Sequence, residues 1–278
     1  MQWITLTTAT FCILIIFLIK KMKISNNKKI QKDGLVHICQ IKRIIIFAQQ
    51  HRGLTAAWLN GDTNAEAKLT GIKKLISQEI NSLMLSPVAK NERWAAFTDH
   101  WGRLLSFNNK SSVSNSFEQH TMMIKNLAYL LEDTAENSHL TADFLPKINN
   151  IGYVWRELIL TTENIGQSRA IGVSVAVQQC CSSVDKIRLN FLIQTMAKTT
   201  IDTLQRLSHL PEEQHTHTNL VKKATESMNK LIEVMTSELV GAAKVAIDSN
   251  QYFELATETM SKMNDIFDHQ VKQLNKVI

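Results

Sequence analysis

The sequence predicts an all-α protein, folded as up-and-down helical bundles, preceded by an N-terminal transmembrane helix. Three observations lead there. From residue 35 onward apolar side chains recur every three or four positions, which is the helical period. The 278 residues include only 9 glycines and 3 prolines (Pro87, Pro146 and Pro211), too little turn chemistry for an all-β protein. Residues 3–19 read WITLTTATFCILIIFLI without a charge.

That apolar run of 17 residues is at the short end of a membrane span. Lysines at its C-terminal end can snorkel to lengthen it. A cleaved signal peptide would carry positive charge before the run and small residues at a cleavage site; neither is present around KKMKISNN. Residues 1–21 are therefore read as a membrane anchor. Residues 22–34 form a basic juxtamembrane tether ending at Gly34, and 35–278 a helical domain. Residues 1–34 hold six lysines and one acid, Asp33. Positive flanks stay cytoplasmic, so the reading is a single-pass protein of the cytoplasmic membrane with its domain facing the cytoplasm.

Each further element is placed by its own signals. A first helix runs from about Leu35 to Asn60 and stops at Gly61 and Asp62. A second spans Asn64 to Leu85, ahead of Pro87. A third spans Asn91 to Phe107, and NNKSSVSNS is a loop. A fourth runs from Phe117 to Glu136. A long helix follows Thr141, an N-cap candidate, from Ala142 to Cys181, with an interruption near Gly152. Another spans Ser183 to Leu210, ended by Pro211. The last two start near Glu213 and after Asp248. Short connections favour antiparallel neighbours, as one elongated bundle or as two four-helix bundles sharing long helices.

Composition excludes several functions. Net charge is +6, but beyond residue 34 there are 25 basic against 24 acidic residues, so the domain has no general phosphate-binding footprint and no nucleic-acid role is expected. The four cysteines (Cys12, Cys39, Cys180, Cys181) form no disulfide or zinc pattern. Cys180 and Cys181 read as packed thiols, and Trp58, Trp94, Trp101 and Trp155 as core. His209, His215 and His217 could ligate a metal, but no third ligand has sensible spacing, and a solvated connection is the simpler reading. No nucleophile elbow, zincin or phosphate-loop motif occurs. Nothing recommends an enzyme, a cofactor or a metal.

Two arginines stand where helical periodicity wants apolar residues. One stripe is Ile38, Ile41, Ile45, Ala48, Arg52, Thr55, Leu59; the other is Trp155, Leu158, Thr162, Ile165, Arg169, Gly172, Ala176. A buried guanidinium needs a negative partner. Neither arginine has one three or four residues away, whereas Arg103 has Asp99 and Arg188 has Asp185. Two outcomes are open. The commoner is an ion pair with a distant carboxylate. The other is convergence of two planar donor forks on a flat oxyanion. Small residues around Arg169 (Gly166, Ala170, Gly172, Ser174, Ala176) allow close helix approach or leave room for a small ligand.

These stretches resemble the signature segments of the nitrate/nitrite-sensing (NIT) domain family. QQHRGLTAAWL is similar to its first-helix pattern, ENIGQSRAIG to its second, and DSNQYFELATETMSKMNDIFDHQ to its closing helix. Two positions depart from the pattern: His51 stands where the family often has Glu, and Ser168 where an acid is common. The resemblance implies a helical domain that binds nitrate or nitrite between Arg52 and Arg169 and passes a conformational change onward. Relatives usually carry an output module. None is recognised here, which points to an output partner protein or a homodimer. The alternative is a ligand-free, membrane-tethered helical scaffold for protein–protein interaction.

Overall fold

The computed structural model describes the backbone of residues 2–106 and 112–278, and the side chains from residue 15 onward apart from 16, 107–111, 199 and 201. Eight α-helices account for most of it: α1 (Gln2–Leu59), α2 (Ala65–Leu83), α3 (Glu92–Ser106), α4 (Val113–Asn137), α5 (Ile159–Gln178), α6 (Ser183–Arg206), α7 (Gln214–Val234) and α8 (Ser249–Val277). No strand occurs among the described residues.

The helices form two four-helix bundles. In the first, α1 packs along α2 and α4, and α3 packs on α4. In the second, α5 packs on α6 and α8, and α7 closes the ring between them. A seam joins the bundles where α5 meets α1 and α4. The two stripes read from the sequence face these interfaces. Ile38, Ile41, Ile45 and Ala48 are buried, as are Trp155, Leu158, Thr162 and Ile165.

Local chemistry accounts for the boundaries that differ from the sequence reading. Helix α4 starts four residues before Phe117, because the Ser112 side chain accepts the Asn115 backbone N–H and caps it. Thr141 caps no helix. Pro146 forces Leu145 out of helical geometry (φ −128°, ψ 63°) and opens a 3₁₀ turn, Pro146–Ile148. Regular structure resumes through a π-turn, Val154–Leu158, that feeds α5. At its end, Gln179 takes a left-handed conformation (φ 53°). A second π-turn, Met235–Val240, ends α7.

The glycines of α5 serve close packing. A Cβ on Gly172 would lie 2.2 Å from the Tyr252 ring, so glycine here lets that ring reach the Ser168 carbonyl, to which its hydroxyl donates at 3.1 Å. Trp94, Trp101 and Trp155 are in the core, and the Trp155 indole donates to the Leu140 carbonyl at 2.8 Å. Trp58 is half-buried. Cys180, read as a packed thiol, is instead exposed; Cys181 is half-buried, and both are free.

At the N-terminus the structure departs from the expected layout. The basic tether, residues 22–34, is helical and continuous with α1. Its end is packed: the Gln31 amide donates to the His139 carbonyl at 2.9 Å, and Gly34 lies against Ser138. Among the described residues no helix is long and apolar enough to cross a membrane. The expected transmembrane helix thus has no support here; most of its side chains lie outside the described residues.

Candidate functional site

Arg52 is 2% exposed, on the face of α1 turned to the seam. The absence of a carboxylate partner read from its own helix does not hold. Glu163 of α5, 3% exposed, faces it across the bundles. Arg52 Nη1 donates to Glu163 Oε1 at 2.6 Å and Nη2 to Oε2 at 3.3 Å. The same carboxylate accepts from the side-chain amides of Gln49 at 2.9 Å and Gln167 at 3.0 Å. Arg52 also donates to Thr121 Oγ1 at 3.0 Å, and its guanidinium carbon lies 5.3 Å from the centre of the Phe117 ring. Gly166 makes this possible, because a Cβ there would stand 3.0 Å from Arg52 Nη2.

Arg169, six residues beyond Glu163 on α5, is half-buried and differently placed. Its Nη1 donates to Thr257 Oγ1 of α8 at 2.9 Å, and its guanidinium carbon lies 5.0 Å from the centre of the Phe253 ring. Among the described residues no carboxylate pairs with it. Burial lowers its pKa from the ordinary arginine value, and the Arg52 charge lowers it further, with Glu163 opposing. The two sequence-predicted arginines are thus brought within each other's field. One is neutralised; the other is not.

A histidine pair adjoins Arg52. His120 Nδ1 lies 2.7 Å from the Ser116 carbonyl, an acceptor, so that nitrogen carries the proton. His120 Nε2 must then accept from His51 Nδ1–H at 2.8 Å. His51 Nε2 is left without a partner among the described residues. Burial, then the neighbouring His120, pushes His51 down to about 3, and burial foremost brings His120 to about 4. Both are neutral at pH 7. Because their folded pKa values lie below the ordinary 6.5, the unfolded chain binds more protons between those limits. Stability is therefore expected to be intact above pH 6.5 and to fall as pH drops toward 4, at about 1.4 kcal/mol per pKa unit per group. Urea midpoints at pH 7 and pH 5 test this; replacing His120 by Gln should flatten the slope.

The other candidates resolve differently. His215 is exposed. His209 and His217 stack at 4.7 Å, and His269 of α8, unforeseen, lies 5.9 Å from His217. They form a packed ring cluster in which His217 and His269 are buried, where a solvated connection was the simpler expectation. Among the described residues no group of His, Cys, Asp or Glu could hold a metal.

Comparison with known proteins agrees with this architecture. No curated protein matches the chain. Among solved structures it is similar to that of the NasR transcription antiterminator, with a TM-score of 0.64 and 15% identity over 91% of this chain and 72% of that one. At that identity the likeness concerns the fold. A family model described as nitrate and nitrite sensing matches residues 45–275, which takes in the C-terminal part of α1 with Arg52, the whole of α5 with Arg169, and most of α8. The chain belongs to this nitrate- and nitrite-sensing (NIT) family.

Proposed function

We propose that this protein is a membrane-anchored sensor in which nitrate or nitrite bridges Arg52 and Arg169 at the seam between the bundles. The observation that carries the reading is Arg169: a half-buried guanidinium with no carboxylate paired to it among the described residues, in the field of a second guanidinium already paired. An anion there would supply the missing charge and relieve repulsion between the two groups. The arginines stand on helices of different bundles, so an anion held by both would favour one packing of the seam over another. A ligand shifts such an equilibrium only by its difference in affinity for the two states. The change would pass to an output protein or across a homodimer.

The anchor rests on the uncharged run Trp3–Ile19 and the lysines after it, and the positive-inside tendency of such lysines favours the cytoplasmic side for the domain. Phe17, Leu18, Ile19 and Met22 are exposed large apolar side chains, as a helix leaving a bilayer would present.

One observation favours the scaffold reading: Arg52 is already neutralised within the protein. Calorimetry on the full chain in detergent, with sodium nitrate and sodium nitrite, separates the two. The sensor reading predicts saturable binding that is lost when Arg52→Ala and Arg169→Ala are combined. Absence of binding, or binding indifferent to both changes, would leave the scaffold.

A further inference from the structure

We propose that Glu163 sets the charge of the anion the site accepts, admitting monovalent oxyanions and excluding divalent ones such as sulfate. The inference rests on the anion site described above and adds to it a rule of selection. Arg52 and Arg169 contribute one positive charge each, and Glu163 one negative. Arg52 and Glu163 are the charged groups whose fields shift the Arg169 pKa, one lowering it and the other raising it. The nearby His51 and His120 are held neutral by burial and add nothing. The site therefore carries a single surplus positive charge, matched by one monovalent anion.

Burial makes the match matter. An uncompensated charge in a poorly solvated seam is costly, and its interactions are weakly screened. A divalent anion at Arg169 would leave one negative charge over, facing Glu163. The carboxylate cannot easily swing away to make room. Arg52, Gln49 and Gln167, on two helices from two bundles, all donate to it. Glu163 also occupies the fork of Arg52, so an arriving anion meets Arg169 first, on its half-buried side. Arg169 is then the recruiting group, and the Arg52–Glu163 pair is the fixed background against which charge is judged. Glu163 acts as a positioning and selecting residue.

The test compares sodium nitrate with sodium sulfate at matched ionic strength, by calorimetry on the full chain in detergent. The native protein should bind nitrate and show no saturable heat with sulfate. Glu163→Gln keeps an acceptor for Arg52 and raises the surplus to two. It should bind sulfate at least about tenfold more tightly than the native protein does. A second pair of variants guards against misfolding of the first. Thr257→Asp places a carboxylate beside Arg169 and cancels the surplus, so nitrate affinity should fall by about tenfold or more. Thr257→Asn, the neutral isostere of that aspartate, should lose clearly less than Thr257→Asp does. Comparable nitrate and sulfate binding by the native protein would overturn the selection rule while leaving the anion site standing. So would Glu163→Gln that binds nitrate and still refuses sulfate. Equal losses from Thr257→Asp and Thr257→Asn would point to the same result. Failure of the native protein to bind nitrate would instead remove the site itself.

Discussion

Replacing Arg52 by alanine is expected to destabilise the protein by about 3–5 kcal/mol, because it strands the Glu163 carboxylate in the seam with its charge unanswered. The two side chains are 2% and 3% exposed, so water cannot take over the lost contacts. Glu163→Ala should cost a comparable amount by stranding Arg52. The double replacement should cost less than the sum, since neither charge is then left behind. Urea unfolding of the four proteins gives the coupling directly. Strict additivity would mean that the pair in the structure carries no energy.

The opposite behaviour is expected at Arg169. Its guanidinium is partly desolvated, stands in the field of Arg52 and, among the described residues, has a hydroxyl and no carboxylate for a partner. Truncation to alanine should therefore be nearly neutral in anion-free buffer, or stabilising by a few tenths of a kcal/mol as repulsion is relieved. Ligand linkage reverses the ranking. At a nitrate concentration about 100 times the dissociation constant, the native protein gains about 2.7 kcal/mol, and Arg169→Ala should gain none. Thermal melts of both proteins with and without nitrate measure this. A large loss of stability on Arg169→Ala without any anion would favour the scaffold reading.

These contrasting roles were half visible in the sequence. Both arginines interrupt apolar stripes, and periodicity alone singles them out. What periodicity cannot supply is a partner on another helix. Helical spacing of three or four residues accounts for Asp99 beside Arg103 but not for the partners that tertiary packing brings. Arg43 meets Glu79, Arg156 meets Glu132, and Arg188 meets Glu118, a partner on another helix where helical spacing suggests Asp185. Arg52 meets Glu163 in the same way. One signal was nonetheless available. Glu163 is the sole acid between Glu157 and Asp185, in a stretch of small and apolar residues. A carboxylate in such a setting demands a cation as surely as a buried arginine demands an anion.

The fold was legible for similar reasons and failed for similar ones. Amphipathic period and short connections give eight antiparallel helices and their bundles. Thr141 has the chemistry of a cap and suggests a helix start at Ala142, but the restriction that Pro146 imposes on Leu145 overrides it. The histidine cluster needed His269, 52 residues beyond His217 in the chain, and no local pattern announces it.

Crystals of the full chain soaked in nitrate, with a parallel soak in sulfate, bear most directly on the idea that one unmatched guanidinium at the bundle seam takes a small anion. A flat, three-lobed feature is expected within hydrogen-bonding reach of Arg169 and on the side facing Arg52, with Glu163 still clasping Arg52, and no equivalent feature from sulfate. An Arg169 bonded only to Thr257 in both soaks, with nitrate elsewhere or nowhere, would contradict it.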